Sequence, residues 1–153
     1  NPANPVLSIQ DGTQFSRGVD IDLRLSLFGD VNIIAGYSYN ESKFTESNLD
    51  IKGKRPIGAP KHMANFWASY NIDYLLSGLG INAGFTYSDD YFWDEQNTLT
   101  IPSYLLLKAG LFYKKAGVRL NLTLENLTDK RYWDFEGSPQ PPRTVLFSIN
   151  ISI

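Results

Sequence analysis

Apolar and polar residues alternate along seven stretches of this chain, and the alternation predicts β-strands. In the clearest stretch, residues 118–125, Val118, Leu120, Leu122 and Leu124 are each followed by a polar residue. Successive side chains of a strand point to opposite faces of a sheet, so this pattern places apolar side chains on one face only. The seven stretches lie at 19–27, 31–39, 64–74, 79–87, 105–113, 118–125 and 145–153, and the first is expected to reach back to 6–9 through a break near Gly12.

The predicted strands are long, and the segments between them alternate in length. Strands of globular proteins most often have about five or six residues, whereas a tilted strand that crosses a bilayer needs about nine to eleven. The seven stretches here have eight to eleven residues, which is closer to the second length. Short turns at 28–30, 77–78 and 115–117 alternate with long segments at 46–60, 93–100 and 127–142. Short turns on one side and long loops on the other are typical of outer-membrane barrels. We therefore predict an all-β fold, a segment of an antiparallel up-and-down transmembrane β-barrel with about seven long strands.

Aromatic residues gather near the predicted strand ends. Phe28, Tyr74 and Tyr113 lie near the short turns. Such rings prefer the two interfaces of a membrane, where an amphipathic side chain is half in water. We therefore predict two aromatic girdles, and the one on the long-loop side contains Tyr37, Tyr39, Phe44, Phe85, Tyr87, Tyr91, Phe92 and Trp93.

Composition narrows the class of protein further. No run of eighteen apolar residues exists, which excludes a membrane-spanning helix. A net charge of −2 gives no reason to expect nucleic acid binding. The chain has no cysteine, so disulfide bonds and thiolate metal sites are excluded.

Seven strands leave two open edges. Bacterial single-chain barrels have an even number of strands and no free edge, because each unpaired backbone group in hydrocarbon costs several kcal/mol. The chain also starts with a loop-like sequence, Asn1-Pro2-Ala3-Asn4-Pro5. We therefore expect it to be a piece of a longer protein that supplies the remaining strands. An isolated copy is expected to pair with others at its strand edges.

Residues that could carry chemistry are few. His62 is the only histidine, and without partners at suitable spacing it is expected to have a structural or interfacial role rather than bind zinc. No nucleophile and base are spaced as a pair, so we predict no catalytic residue, no metal, no cofactor and no enzymatic activity. Asp89, Asp90, Asp94 and Glu95 form a cluster of carboxylates. Carboxylate oxygens can bind calcium, but the favoured interpretation of this cluster is a solvated rim.

Several motifs follow one another along the chain: Ser16-Arg17-Gly18-Val19-Asp20, Gly53-Lys54-Arg55-Pro56, Ala59-Pro60-Lys61-His62 with Trp67 and Tyr70, Ile101-Pro102-Ser103-Tyr104, Asn121, Asn126-Leu127-Thr128-Asp129-Lys130-Arg131-Tyr132, and Pro142-Arg143-Thr144-Val145. In their order and spacing they resemble the C-terminal barrel region of TonB-dependent outer-membrane receptors, most closely the siderophore type. The resemblance covers essentially the whole chain. Two positions depart from the family pattern: Thr128 stands where an aromatic residue is usual, and Ile153 stands where a terminal Phe is usual.

The resemblance implies a location and a set of partners. Residues 1–153 would be the C-terminal segment of a barrel of about twenty-two strands with a plug inside, in the outer membrane of a Gram-negative bacterium. A plug domain and a segment that engages TonB would precede these residues, so this chain alone is expected to transport nothing. The implied partners are outer-membrane lipid, a ferric siderophore, TonB, the plug and the remaining barrel strands.

Aromatic and arginine side chains on the outer loops are candidate ligand contacts, because they suit a flat, anionic ferric complex. The candidates are Tyr91, Trp93, Arg131, Tyr132 and Trp133, with girdle or loop packing as the alternative role. The ligand stays open among catecholate and hydroxamate siderophores, haem, cobalamin and an oligosaccharide. Two other functions also stay open: a passive or structural outer-membrane barrel, porin- or adhesin-like, and a soluble carbohydrate-binding β-domain.

Overall fold

The computed structural model describes residues 12–152, and its centre is one antiparallel β-sheet. Seven strands form this sheet in the order β1-β2-β3-β4-β7-β8-β9, and β5 pairs with β6 in a separate hairpin. Each strand of the main sheet pairs with the next one in the chain, as in an up-and-down barrel. The strands are β1 (Thr13–Leu27), β2 (Val31–Glu46), β3 (His62–Asn71), β4 (Leu79–Ser88), β5 (Tyr91–Phe92), β6 (Thr100–Ile101), β7 (Tyr104–Lys115), β8 (Val118–Glu125) and β9 (Thr144–Ile151).

Strand pairing sets the predicted apolar positions opposite one another across the whole sheet. A one-residue shift in register would turn a strand's apolar side chains to the other face. The observed register has no such shift within the seven predicted stretches, so the apolar residues of one strand pair with those of the next. The faces predicted from the alternation are therefore confirmed. One row consists of Leu27, Val31, Tyr70, Ile81, Leu111, Leu122 and Phe147, and the next consists of Leu25, Ile33, Ala68, Ala83, Ala109, Leu124 and Val145.

The number of residues between a row and the short-turn end of each strand increases from β2 to β7. Val31 is the first residue of β2 after the β1–β2 turn. Its row reaches Leu111 on β7, four residues (111 to 115) before that strand ends at Lys115. A progressive offset of this kind is the stagger that tilts the strands of a closed barrel. The sheet therefore has the geometry of a barrel wall.

The apolar face of the sheet, called the outward face below, is covered by no other part of residues 12–152. Leu122 and Ile149, for example, are 41% and 55% exposed on this face. In a soluble sandwich a second layer would bury such a face. Within the described residues the buried apolar side chains lie elsewhere, either in the loops or on the opposite face: Ile51, Tyr91, Leu106 and Phe112.

The polar face carries glycines over which neighbouring aromatic rings lie. A β-carbon at Gly80 would meet the ring of Phe112 at 2.0 Å, and one at Gly84 would meet the ring of Trp67 at 2.6 Å. The guanidinium of Arg119 also lies over the ring of Phe112, 4.5 Å from its centroid. Glycine thus leaves room for flat rings on this face, which keeps the wall thin on its inner side.

Several boundaries differ from the sequence-based prediction. Strand β2 extends to Glu46, well past Tyr39, because β1 continues beside it beyond the reach of β3. The third strand ends at Asn71, so Ile72 and Tyr74 belong to the turn, which is stabilised by a bond from the Gly78 amide to Asp73 at 2.6 Å. Strand β8 has the predicted bounds, Val118–Glu125, and β9 begins one residue earlier than predicted, at Thr144.

The predicted backward extension to residues 6–9 and the terminal position 153 lie outside the described residues. Gly12, where a break was predicted, has a positive φ of 84° and immediately precedes β1. Over 12–152 there is no helix of the length and apolarity needed to cross a membrane.

Candidate functional site

The long loops at one end of the sheet pack against one another and form a single layer. Residues 47–61 follow β2, residues 89–103 follow β4 and include the β5–β6 hairpin, and residues 126–143 follow β8. Antiparallel meander connections bring these three loops to the same end of the sheet. We call this assembly the loop layer.

Arg55 joins the first loop to the second. Its side chain, only 17% exposed, forms a salt bridge of 2.9 Å with Asp90 and lies 4.5 Å above the ring of Phe92. Its backbone exchanges two hydrogen bonds with the Asn97 side chain, at 2.8 and 2.9 Å. The Gly58 amide also donates to the carbonyl of Phe92 at 3.0 Å. The first loop is therefore held against the β5–β6 hairpin by both polar and ring contacts.

Replacing Arg55 with methionine is expected to loosen the β5–β6 hairpin. Methionine keeps much of the apolar volume but loses the charge that is paired with Asp90, and a hydrogen bond to a charged group contributes about 1.5–3 kcal/mol. Amide hydrogen exchange at 91–101 should become about tenfold faster or more. Arg143→Met, a change at an exposed arginine, is the control. Unchanged exchange in the Arg55 variant would show that this contact does not hold the loops together.

Asp94 organises the tip of the same hairpin. Its carboxylate accepts hydrogen bonds from the amides of Leu99 at 2.7 Å and Thr98 at 2.9 Å, and from the Thr98 hydroxyl at 2.9 Å. The bond from the Leu99 amide is the largest of the effects that lower the pKa of Asp94 below its usual value. The carboxylates of Asp94 and Asp90 are thus bonded to other groups of the loops. Among the described residues, no group of acidic and histidine side chains is arranged to hold a metal.

The third loop is organised by Asn126, which directly follows β8. Asn126 is 4% exposed, has a positive φ of 52°, and its side chain bonds both the amide and the carbonyl of Lys130, at 2.8 and 2.9 Å. Its Nδ2 also donates to the carbonyl of Pro141 at 3.3 Å. Asp129 accepts a bond from the Arg143 amide at 2.8 Å. These bonds close the loop at the ends of β8 and β9.

Trp93 and Trp133 line one cleft of about 300 Å³, together with Ile101, Pro102 and Gly137. Trp93 is 48% exposed, and Gly137 lies against its indole, where a β-carbon would come within 3.3 Å. The cleft is therefore an open aromatic slot between the second and third loops.

Tyr91 lies beneath this slot. It is 5% exposed, and its hydroxyl donates to the carbonyl of Trp133 at 3.3 Å. Burial is the main cause of the raised pKa of Tyr91, so the phenol stays neutral and able to donate. Its position supports the backbone of Trp133 from below, which favours a positioning role over direct contact with a ligand.

Arg131 and Tyr132 line a second cleft of about 330 Å³ with Asp129, Gln140 and Pro142. Arg131 is exposed, and within residues 12–152 it has no ion-pair partner. The ring of Tyr132 packs against Tyr104, with centroids 5.0 Å apart, and burial raises the pKa of Tyr132. A free guanidinium thus stands beside aromatic rings, an arrangement suited to an anionic, partly aromatic ligand.

Of the five candidate residues predicted from the sequence, Trp93, Arg131, Tyr132 and Trp133 line these two adjoining clefts. The fifth, Tyr91, lies beneath them. Trp133 lines both clefts. Their role in ligand contact stays a prediction. Sequence reasoning did not identify Arg55 and Tyr104 as parts of this layer, although both lie in quoted motifs, because their partners are distant in the chain.

His62 lies outside the loop layer, on the outward face at the start of β3. Its Nδ1 is 2.8 Å from the hydroxyl of Tyr37, and its ring packs 5.2 Å from that of Tyr39. These contacts are with aromatic neighbours on the outward face, and the structural or interfacial role of His62 stays a prediction.

Comparison with known proteins gives consistent results. A family described as TonB dependent receptor-like, beta-barrel matches residues 1–127. The chain is 35% identical over 137 residues to the Ferrioxamine B receptor of Salmonella typhimurium, which covers 86% of this chain and 19% of that receptor. It is 32% identical over 138 residues to the Ferrichrome outer membrane transporter/phage receptor of Escherichia coli, which covers 86% of this chain and 18% of that protein.

A solved structure shows the same fold. The siderophore receptor PiuA from Acinetobacter baumannii superposes with a TM-score of 0.81 at 28% identity, covering 92% of this chain and 22% of the receptor. The chain therefore spans about a fifth of the length of the curated relatives it matches.

Proposed function

The chain belongs to the family of TonB-dependent receptor β-barrels, and from that premise we propose that it serves in the uptake of a ferric siderophore across the outer membrane. In this proposal the main sheet is part of the barrel wall and the loop layer is part of the ligand entrance. The outward face contacts lipid, the polar face contacts a plug, and TonB supplies the driving force. No catalytic step is assigned to the chain.

One observation carries the proposal: the loop layer places unpaired Arg131 and the aromatic residues Trp93, Tyr132 and Trp133 around two adjoining clefts at one end of a barrel-type sheet. A ferric siderophore of the catecholate class presents rings and net negative charge to its receptor. Aromatic faces and a guanidinium recognise those features together. The similarity to a ferrioxamine B receptor and to a ferrichrome transporter supports a ferric siderophore as the ligand without deciding between catecholate and hydroxamate.

The exposed outward face supports a membrane location over the soluble carbohydrate-binding alternative. A soluble domain that left this face uncovered would expose a large contiguous apolar surface, which promotes aggregation. The passive-barrel alternative differs from the proposal in needing neither a ligand site nor TonB. Uptake that stops when TonB is removed would separate the two.

Substitutions in the two clefts are expected to weaken ligand binding. Trp133→Ala removes an aromatic wall shared by both clefts, and such ring contacts contribute about 0.5–1.5 kcal/mol beyond their buried area. We expect roughly tenfold weaker binding for Trp133→Ala and a comparable loss for Arg131→Gln. The assay measures binding and ⁵⁵Fe uptake by cells that express the whole receptor, with ferric trihydroxamate and ferric tris-catecholate complexes as probes.

Arg143→Gln, an exposed arginine of the same loop, is the matched control and should bind normally. Wild-type affinity of both cleft variants would refute this placement of the ligand site. Failure of the wild-type receptor to take up either class of complex would refute the siderophore assignment itself.

A further inference from the structure

Tyr104 begins β7, and its side chain lies on the polar face of the sheet. It lines a cavity of about 320 Å³ together with Asp22, Asn65 and Thr86. These three residues occupy polar positions of β1, β3 and β4, and alternate residues of a strand share one face. We call this space the inner cavity. Tyr104 stands at its long-loop end, because it is the first residue of its strand.

The third loop folds back over this face of β7. The Leu127 amide donates to the carbonyl of Leu107 at 2.9 Å, so the chain stays beside β7 after β8 has ended. Further along the loop, the ring of Tyr132 reaches Tyr104, with centroids 5.0 Å apart and planes tilted by 49°. Tyr132 also lines the cleft that contains Arg131, called the outer cleft below. The Tyr104–Tyr132 pair therefore joins the outer cleft to the inner cavity, with one ring lining each.

Tyr132 depends on Tyr104 for the placement of its ring. Its backbone is fixed separately, because its carbonyl accepts a hydrogen bond from the Gln140 amide at 3.0 Å. The next residue of the loop has a comparable support, since the Tyr91 hydroxyl donates to the carbonyl of Trp133 at 3.3 Å. Two tyrosines from outside the third loop thus hold its consecutive residues Tyr132 and Trp133.

The charged groups near the pair leave the ring contact as the main constraint on Tyr132. Burial is the largest cause of the raised pKa of Tyr132, followed by its neighbours Tyr104 and Glu125. Glu125 itself is paired with Lys108 at 3.2 Å. The phenol of Tyr132 therefore stays neutral, and packing rather than charge sets the orientation of its ring.

We propose that Tyr104 is a positioning residue for the ligand: its ring holds Tyr132 over the polar face, so that the outer cleft opens toward the lumen. A ring that is already oriented loses less rotamer freedom when a ligand binds, which strengthens binding. Tyr104 lines the inner cavity rather than the outer cleft, so it acts through Tyr132. This inference rests on the proposed function and adds a residue of the barrel wall to those that determine affinity.

A double-mutant cycle on the whole receptor tests this role, with equilibrium binding of ferric trihydroxamate and ferric tris-catecholate complexes as the measurement. Tyr104→Ala is expected to weaken binding about three- to tenfold, the amount that an aromatic pair contributes. Tyr104→Phe should keep wild-type affinity, because it retains the ring. In a receptor that already carries Tyr132→Ala, Tyr104→Ala should have almost no further effect, since the ring that it positions is absent. A loss that depends on Tyr132 in this way cannot result from poor folding.

Tyr113→Ala, near the other end of β7, is the matched control and should bind normally. Wild-type affinity of Tyr104→Ala, or equal losses with and without the Tyr132 ring, would overturn the inference. Weak binding by Tyr104→Phe would also contradict it, because the ring contact would then not be the cause. A wild-type receptor that binds neither complex would instead refute the proposed function, so the two failures are distinguishable.

Discussion

An arginine in place of Leu122 is expected to destabilise the membrane-inserted barrel by about 2–4 kcal/mol. Leu122 lies in the middle of β8, on the outward face, 41% exposed and in register with Leu111 and Phe147. A charge at this depth must leave water for hydrocarbon, and no described residue is placed to pair with it. The measurement is the unfolding equilibrium of the whole receptor in lipid vesicles, titrated with denaturant.

The adjacent position gives a matched control for this prediction. Asn121 is on the opposite, polar face, where its Nδ2 donates to Ser148 at 3.1 Å. Asn121→Arg should change stability by less than about 1 kcal/mol, since an arginine there points into a polar interior. Equal effects of Leu122→Arg and Asn121→Arg would mean that the two faces do not differ in their surroundings, contrary to the proposed membrane placement.

Replacing Asn126 with leucine is expected to cost about 2–4 kcal/mol and to release the third outer loop. The change leaves the amide and carbonyl of Lys130 without their partner in a part-buried place, and an unsatisfied group costs about 1–3 kcal/mol where it is kept from water. Leucine is also unfavourable at the positive φ of 52° that Asn126 adopts. The readouts are hydrogen exchange across 126–143 and ligand affinity, which should fall because Arg131, Tyr132 and Trp133 lie in this loop.

Two further substitutions separate the causes. Asn126→Gly tolerates the positive φ but removes the side-chain bonds, so it isolates their contribution. Asn126→Asp keeps the acceptor for the Lys130 amide but loses the donor to its carbonyl, and we expect an intermediate effect. Native exchange rates in Asn126→Leu would contradict the role assigned to this side chain.

The strands and their faces could be predicted from the sequence because strand alternation is a local signal. Val118, Leu120, Leu122 and Leu124 reveal the outward face of β8 without any knowledge of the neighbouring strands, and the observed register sets their partners opposite them. The Asn126–Asp129 turn was also predictable, because its bonds to Lys130 and its positive φ depend on residues close in the chain.

The loop layer could be predicted only in part, because its contacts join residues far apart in the chain. The Arg55–Asp90 pair and the Tyr91–Trp133 bond connect positions 35 and 42 residues apart. Periodicity carries no information about such contacts. The extra length of β2 has a similar cause: its outer part, at Glu41 and Lys43, is held by pairing with β1 rather than by an apolar pattern.

We expect the outward face of this sheet to meet acyl chains while the opposite face lines a lumen. To test this placement, a nitroxide spin label is attached to single cysteines along 118–125, in a chain that has no native cysteine, and its collisions with oxygen and with a water-soluble nickel complex are measured in lipid vesicles. The result should alternate: labels at Leu120, Leu122 and Leu124 collide with oxygen more than with the nickel complex, and labels at Asn121 and Thr123 do not. Protection of the leucine positions from both reagents would place them in a protein core and contradict the lipid contact.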